Sequence, residues 1–229
     1  DAWKGDVPKF AADQLPRTIK KLNARMPIKL FLSGDSISEG YNATKFTKAE
    51  PGCPAYGELV ARGLEKHYGC RVDFTNFAVA GWNASRGLGQ VIEKNLGAEK
   101  PDLVIIAYGM NDVFAKDAEK YQSTVREIMS TFRAQSPETE FVLVATMLGN
   151  AEWGMPMEQF PLYRDALNEL RGDGVVLADL TAVWREFLKH KSFYDLAGNG
   201  VNHPNDFGHR VYAQTILALL VPDNESSKR

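Results

Sequence analysis

Short apolar runs alternate along this chain with longer segments in which apolar residues recur every three or four positions. Five of the runs predict strands, at residues 28–33, 72–77, 103–107, 141–146 and 175–179. Each run is nearly continuous in hydrophobic residues and does not alternate with polar ones. Strands of a parallel sheet typically have this continuous pattern, because they are buried on both faces.

The segments between the runs have the periodicity of amphipathic helices. Apolar side chains fall at helical spacing over residues 56–67, 121–132 and 211–220, and a further helix is predicted over residues 14–25. Strands and helices that alternate in this way build a parallel sheet covered by helices. The pattern therefore predicts an α/β fold, a three-layer α/β/α sandwich with a five-stranded parallel sheet.

The composition changes little along the chain except near its two ends. Residues 1–26 are mostly polar and are interpreted as an N-terminal lead-in segment that contains the first predicted helix. Residues 27–222 carry all five predicted strands and are interpreted as one domain. Residues 223–229 are polar and are expected to form a flexible tail.

The bulk composition narrows the classes of partner. The 229 residues carry a net charge of −2, which argues against the basic surface that a nucleic-acid partner requires. No apolar run approaches the roughly 20 residues that span a bilayer. The chain begins with Asp1 and not with Met, which is compatible with a secreted or periplasmic protein whose leader has been removed. The sequence fixes neither the compartment nor the oligomeric state.

The two cysteines are not expected to form a disulfide. Cys53 and Cys70 lie just before and just after the helix predicted around residues 56–67. A helix of about 15 residues is about 22 Å long. The Cα atoms of bridged cysteines lie within roughly 7 Å of each other. The helix would therefore hold the two thiols too far apart.

Small and polar residues follow the predicted strands. The first strand is followed by Gly34-Asp35-Ser36, the second by residues 76–83 and the third by residues 108–112, while His203 precedes the last predicted helix. In an open parallel sheet, ligands bind beyond the carboxyl ends of the strands. We therefore expect these blocks to converge on one rim of the sheet.

Four blocks in this order resemble those of the SGNH hydrolases, also called the GDSL esterase family. The blocks are Gly34-Asp35-Ser36, Asn76 through Gly81, Gly109-Met110-Asn111-Asp112 and His203-Pro204-Asn205. The resemblance extends from residue 28 to about residue 220, and it implies that residues 27–222 are an SGNH hydrolase domain. It also implies a flavodoxin-like sheet and the hydrolysis of acyl esters.

The resemblance also implies roles for individual residues. Ser36 would be the nucleophile and His203 the general base, while the backbone N–H groups of Ser36 and Gly81 and the side-chain amide of Asn111 would form the oxyanion hole. These residue types suit the chemistry, because a serine hydroxyl becomes an effective nucleophile only when a base takes its proton. Imidazole is suited to that task because its pKa lies near neutrality.

One position departs from the family pattern. The family usually has an aspartate three residues before the histidine, and this chain has Gly200 there. Such an aspartate orients the histidine and stabilises the imidazolium. A backbone carbonyl could replace it and leave a Ser–His dyad, or a carboxylate from elsewhere could do so. The site could also be impaired or serve only for binding. The carboxylate candidates are Asp195, the nearest upstream, followed by Asp206 and Asp179.

The predicted activity is that of a serine esterase. We expect it to hydrolyse short-chain acyl esters, including acetyl esters of carbohydrates, through an acyl-enzyme on Ser36 and without a metal or other cofactor. The aromatic faces and amides among the side chains expected near the rim suit a sugar ring or an aryl ester. The six residues expected there are Tyr41, Asn42, Trp82, Asn83, Trp153 and Met155. The alternatives are an acyltransferase that uses the same serine and a catalytically impaired carbohydrate-binding domain.

Overall fold

Five parallel strands form the centre of the protein. A computed structural model describes residues 4–5 and 7–222, so the tail predicted over residues 223–229 lies outside the described residues. The strands are β1 (Ile28–Gly34), β2 (Val72–Asn76), β3 (Leu103–Ala107), β4 (Glu140–Ala145) and β5 (Val175–Asp179). They lie in the order β2-β1-β3-β4-β5, and every neighbouring pair is parallel. The predicted α/β fold with a five-stranded parallel sheet is confirmed.

Helices cover both sides of this sheet. The α-helices in the described part of the chain are α1 (Pro16–Asn23), α2 (Ser36–Glu39), α3 (Thr44–Thr47), α4 (Tyr56–Tyr68), α5 (Ala84–Glu93), α6 (Ala118–Gln135), α7 (Gln159–Asn168), α8 (Leu180–Phe187) and α9 (Asp206–Leu220). Helix α4 packs against α9 and α1, whereas α6 packs against both α5 and α7. No helix in the part of the chain that the structure describes is long and apolar enough to cross a bilayer.

The central strands and the edge strand β2 differ in burial. Every residue of β3 and β4 is buried. In β2 only Val72 is buried, and Asp73, Thr75 and Asn76 are exposed. The continuous apolar runs predicted that all five strands are buried on both faces. β2 departs from this prediction, because it lies at the edge of the sheet and most of its residues are exposed.

The first helix is joined to the sheet by a buried carboxylate. Glu140 begins β4, is fully buried, and accepts hydrogen bonds from the N–H groups of Arg17 at 3.1 Å and Thr18 at 2.8 Å. These groups lie in the first turn of α1, where N–H groups lack intrahelical acceptors and favour a negative charge. The lead-in helix thus packs on the sheet instead of extending away from it. Cys53 and Cys70 are both free, as predicted.

Candidate active site

Ser36 is held in a tight turn at the carboxyl end of the inner strand β1. It is the first residue of α2, and Asp35 caps that helix by accepting the Ile37 N–H at 3.0 Å. Gly34 is required on steric grounds, because a Cβ there would lie 2.2 Å from the Ser38 Oγ. The strand and the cap therefore fix the position of Ser36, a residue that is only 8% exposed.

The structure brings Ser36 and His203 together, although they are 167 positions apart in sequence. His203 Nε2 lies 2.7 Å from Ser36 Oγ, which is hydrogen-bonding distance. A short hairpin-like loop carries the histidine: Ala197 and Pro204 form an antiparallel bridge, and the Gly198 N–H donates to the His203 carbonyl at 2.9 Å. A proton can pass directly between this hydroxyl and this imidazole.

Burial favours the neutral form of His203. Removal of the ring from solvent lowers the pKa of His203 below its usual value of 6.5. The Tyr41 ring stacks on the imidazole, with centroids 5.3 Å apart. A neutral imidazole retains the lone pair that a general base needs, so the environment suits base chemistry near neutral pH.

The three groups predicted to bind an oxyanion remain available as donors. Ser36 occupies the first helical position, where the N–H has no intrahelical acceptor. Among the described residues, nothing accepts the Gly81 N–H, and Gly81 has a left-handed φ of +75°. The Asn111 Nδ2 donates one hydrogen to the Trp82 carbonyl at 2.8 Å, which leaves its second N–H unused.

Two side chains that were not predicted as site residues hold the Gly81 loop against the Ser36 helix. The Glu39 Oε2 atom accepts the Ala80 N–H at 2.7 Å, and Asn76 Nδ2 donates to the Ser38 carbonyl at 2.8 Å. The role of Asn76 agrees with its place in the family block, whereas Glu39 is an ordinary surface residue by sequence. The contact with Ala80 places a fixed acceptor one residue before the proposed oxyanion donor.

None of the three candidate carboxylates contacts His203. Asp195 accepts the Ser192 N–H at 2.9 Å, and this bond lowers the pKa of the Asp195 carboxyl. Asp206 accepts the N–H and the hydroxyl of Thr44, both at 2.8 Å. Asp179 caps α8 and pairs with Arg164 at 2.7 Å. Each carboxylate is bound by a partner other than His203, so the structure does not bring the expected third triad member Asp195 to the imidazole.

Position 200, where the family usually has its aspartate, does not favour a side chain in this protein. Its φ of +69° is a conformation that side chains disfavour, and a Cβ there would lie 2.8 Å from Tyr194 Cε1. The Gly200 carbonyl accepts a hydrogen bond from the Asn150 side chain at 2.8 Å. Gly200 therefore lies in a turn that is hydrogen-bonded to Asn150, in the loop that follows β4.

Asn199 occupies the place beside His203 Nδ1. Its Nδ2 atom lies 2.6 Å from His203 Nδ1, and its Oδ1 atom accepts the backbone N–H groups of Val201, Asn202 and His203, each at 3.0 Å. Sequence reasoning missed this residue because the family pattern directs attention to position 200. The Asn-Gly pair was the available signal, since asparagine accepts backbone hydrogen bonds in turns and glycine adopts left-handed backbone.

Two buried carboxyl groups lie close behind the site. Burial raises the pKa of Asp35 to about 7 and that of Asp112 to about 6. Asp112 accepts the N–H groups of Ala84 at 2.9 Å and Gly109 at 3.0 Å, so it joins the start of α5 to the turn after β3. Both groups are structural anchors. Within residues 4–5 and 7–222 there is no group of three or more His, Cys, Asp or Glu side chains that could hold a metal ion.

The rim residues divide into exposed and buried ones. Trp153 is 63% exposed and Tyr194 is 56% exposed, and the Tyr194 hydroxyl donates to Glu152 at 2.9 Å. Met155 was expected at the rim but is buried, because its side chain packs against Gly149. Asn83 caps α5 by accepting the Arg86 N–H at 3.1 Å.

Comparison with known proteins extends these observations. The model of the GDSL-like lipase/acylhydrolase family matches residues 32–211. A search of curated proteins finds no match. Among solved structures, a two-domain esterase active on acetylated mannans superposes with a TM-score of 0.70 at 20% identity, over 94% of this chain and 54% of that one. The chain thus spans about half the length of that esterase.

Two further structures match over most of their own length. An acetylxylan esterase from Geobacillus stearothermophilus has a TM-score of 0.65 and 23% identity, over 86% of this chain and 95% of that one. A lipase from a goat rumen metagenome has a TM-score of 0.66 and 16% identity, over 83% and 96%. At these identities the superpositions establish the fold. Since the family model covers most of the sequence, the chain belongs to the GDSL-like lipase/acylhydrolase family.

Proposed function

We propose that this protein removes acetyl and other short acyl groups from carbohydrates through an acyl-enzyme on Ser36. The observation that carries the proposal is the 2.7 Å contact between Ser36 Oγ and His203 Nε2 at the carboxyl rim of the sheet. A serine hydroxyl with an imidazole at this distance is the arrangement that nucleophilic acyl transfer requires.

The first half of the reaction forms the acyl-enzyme. Ser36 Oγ attacks the ester carbonyl carbon while its proton passes to His203 Nε2, and the carbonyl oxygen becomes an oxyanion. The N–H groups of Ser36 and Gly81 and the free N–H of Asn111 stabilise that charge. Each such donor is worth roughly 10²–10³ in rate. The C–O bond to the sugar then breaks, and the imidazolium proton passes to the departing alcohol oxygen.

The second half releases the acid. His203 takes a proton from a water molecule, and the resulting hydroxide attacks the acyl carbon of the ester on Ser36. The same oxyanion donors stabilise the second tetrahedral intermediate. When it collapses, Ser36 Oγ recovers its proton from His203 and the carboxylic acid departs. His203 thus acts as base and acid in turn, as an imidazole can when it gains and loses one proton at Nε2.

An acetylated carbohydrate is the substrate class that the surroundings favour. Two of the similar structures are esterases of acetylated mannans and of acetylxylan. Gly81 is exposed, so one proposed oxyanion donor lies at the surface where a polymer chain can reach it. The exposed rings of Trp153 and Tyr194 offer flat apolar faces of the kind against which sugar rings pack.

The test compares acetate release from acetylated xylo-oligosaccharides and p-nitrophenyl acetate by the wild type and Ser36→Ala. We expect the substitution to lower kcat by roughly 10⁴-fold or more, as for nucleophiles in other serine hydrolases. Ser130→Ala, at an exposed serine on α6, is the matched control and should retain full activity. Equal rates for Ser36→Ala and the wild type would rule out the proposed nucleophile.

Two measurements separate this function from its alternatives. A fluorophosphonate probe should label Ser36 covalently, and an absence of labelling would instead indicate a binding domain. Addition of an acceptor alcohol distinguishes hydrolysis from acyl transfer, because both use the same acyl-enzyme. We expect the free acid to remain the main product, whereas a dominant transferred ester would identify an acyltransferase.

A further inference from the structure

The orientation of the Asn199 amide is fixed by its own loop. The Oδ1 atom accepts three backbone N–H groups, from Val201, Asn202 and His203, each at 3.0 Å. If the amide were flipped, its nitrogen would take the place of Oδ1, and its two N–H hydrogens would face three backbone N–H donors without an acceptor. The alternative orientation of this amide is therefore strongly disfavoured, and Nδ2 must face outward from the turn.

The fixed amide decides which hydrogens meet His203. Asn199 Nδ2 has two hydrogens and two neighbours, the Asn202 Oδ1 at 3.1 Å and the His203 Nδ1 at 2.6 Å. Because an amide nitrogen only donates, Nδ1 must accept and therefore carries a lone pair. A neutral imidazole with its lone pair on Nδ1 carries its proton on Nε2. That proton points at Ser36 Oγ, 2.7 Å away.

We propose that Asn199 is a positioning residue that holds resting His203 in the Nε2–H tautomer, so that its amide restrains the general base. The inference deepens the proposed function and rests on the roles given there to Ser36 and His203. Attack by Ser36 requires the lone pair on Nε2, and the imidazolium that follows would direct an Nδ1–H at the Asn199 amide hydrogens. In each turnover, His203 must therefore change to the tautomer with its lone pair on Nε2 before Ser36 attacks.

No neighbouring acid relieves the restraint. In the described part of the chain, the groups around the imidazole are the Ser36 hydroxyl, the Tyr41 ring, the Asn199 amide and the buried His209. None of these groups is a carboxylate, and burial lowers the pKa of His209 to about 4, so that ring is neutral as well. Asp206, the acidic residue at the start of α9, is engaged by Thr44.

Asn199→Asp tests the proposal with almost no change of shape. One carboxylate oxygen can retain the three backbone N–H groups, and the other replaces Nδ2 and accepts from Nδ1. Asn202 can turn its own amide to donate to that oxygen, since its Oδ1 has no bond other than the one to Asn199 among the described residues. The variant therefore keeps the loop and reverses only the hydrogen-bond direction at His203.

The tautomer is read directly by ¹⁵N NMR of the imidazoles in histidine-labelled protein, with His203 assigned from the spectrum of His203→Gln. His209 is an internal reference, because its Nε2 donates to the Tyr41 carbonyl at 3.1 Å and its Nδ1 faces the Tyr56 N–H at 3.4 Å. We expect wild-type His203 to show the same Nε2–H pattern as His209. In Asn199→Asp we expect His203 to change to the Nδ1–H pattern.

The kinetic expectation follows from the same reversal. Replacing a triad aspartate by asparagine in a serine protease lowers kcat by about 10⁴-fold through the wrong tautomer. Asn199→Asp should therefore raise kcat on p-nitrophenyl acetate, by up to ~10⁴-fold, with little change in KM. Its carboxylate also favours the imidazolium, so the acid limb of the pH–rate profile should move to higher pH.

Asn202→Asp is the matched control, because it adds the same charge nearby without an acceptor at Nδ1. We expect it to leave the Nε2–H tautomer in place and to raise kcat far less than Asn199→Asp. An Nδ1–H pattern in the wild type would overturn the proposal, as would an Asn199→Asp variant that folds normally but keeps the wild-type tautomer and rate. The NMR result stands apart from activity: if Ser36→Ala were fully active, the esterase mechanism would fail while the tautomer assignment could still hold.

Discussion

The phenol ring of Tyr41 lies against the imidazole of His203, with ring centroids 5.3 Å apart and planes inclined by 28°. The backbone of Tyr41 is itself held in place, because its carbonyl accepts a hydrogen bond from buried His209 at 3.1 Å. Tyr41 therefore forms a fixed wall that limits rotation of the His203 ring.

Removing that wall should slow the enzyme without unfolding it. Tyr41→Ala should lower kcat/KM by about 2- to 10-fold, since aromatic pairs of this kind contribute roughly 0.5–1.5 kcal/mol. Tyr41→Phe keeps the ring and should retain nearly full activity. Steady-state kinetics on p-nitrophenyl acetate would separate the two. A loss as large for Tyr41→Phe as for Tyr41→Ala would show that the hydroxyl matters and the stacking does not.

The pH dependence of activity should reflect the burial of His203. Desolvation lowers the pKa of His203, and the base is active only when neutral. Activity should therefore be present above this pKa and should be lost as the pH falls through it, with the acid limb of kcat/KM below pH 6.5. Rates measured from pH 4 to pH 8 provide the test. A limb above 6.5 would contradict a desolvated, uncharged environment for the imidazole.

The contact between Glu39 and Ala80 should matter for the rate and little for the fold. Glu39→Ala removes the acceptor of the Ala80 N–H, 2.7 Å away, and frees the loop that presents Gly81. We expect kcat to fall by up to roughly 10²-fold, the lower value for loss of one oxyanion donor. Glu39→Gln retains an oxygen acceptor and should recover most of the activity. Equal losses in both variants would indicate that the charge of Glu39, and not the hydrogen bond, is responsible.

Stability should depend on pH through Asp35. Burial raises its pKa to about 7 in the folded state, whereas an unfolded aspartate has a pKa near 3.9. Between these values the folded protein binds a proton that the unfolded chain has lost, so this contribution to stability is present at low pH and is lost as the pH rises towards and through 7.

Asp35→Asn should therefore reduce the difference in Tm between pH 5 and pH 8. The asparagine oxygen can still accept the Ile37 N–H, so the cap of α2 is retained. Asp13→Asn, at an exposed position, is the control and should leave the difference unchanged. If Asp35→Asn and the wild type showed the same difference, Asp35 would not carry the proton that its burial implies.

Trp153 should discriminate between substrates. Its side chain is 63% exposed in the loop that Asn150 joins to the His203 loop, through a hydrogen bond from the Asn150 N–H to the Val201 carbonyl at 2.8 Å. Trp153→Ala should raise KM for acetylated xylo-oligosaccharides and leave p-nitrophenyl acetate hydrolysis unchanged, because only the sugar is large enough to reach the ring. Equal effects on both substrates would indicate a structural role instead.

The sequence predicted the sheet well because most of its strands are buried and therefore form continuous apolar runs. Residues 103–107 and 175–179 were predicted with their observed bounds, and the other three strands differ by one residue at one or both ends. The first residue of β4, Glu140, was left out because a charged residue is rarely buried. Its partners are N–H groups of a helix more than 120 positions away, and no local pattern reveals such a contact.

The site was predicted where motif and strand end coincide. Ser36 and His203 meet as the resemblance implied, since β1 and the start of α9 bring them to one rim. Asn199 and Glu39 were missed because each acts through a backbone turn whose shape depends on tertiary contacts. Asp195 was favoured by proximity in sequence alone, and its carboxylate instead serves the turn of Ser192.

The left-handed backbone at Gly200 has a consequence for how such chains are sorted by sequence. A search that requires an aspartate three residues before the histidine would discard this protein as inactive. Gly200→Asp alone would not restore the triad, because a side chain at position 200 would be strained by about 1–2 kcal/mol and would collide with the Tyr194 ring. The side chain that faces His203 Nδ1 is that of Asn199, one residue before the position where the family usually has its aspartate. Conversion of this loop to the family arrangement would therefore require a different backbone turn at position 200 as well as the aspartate itself.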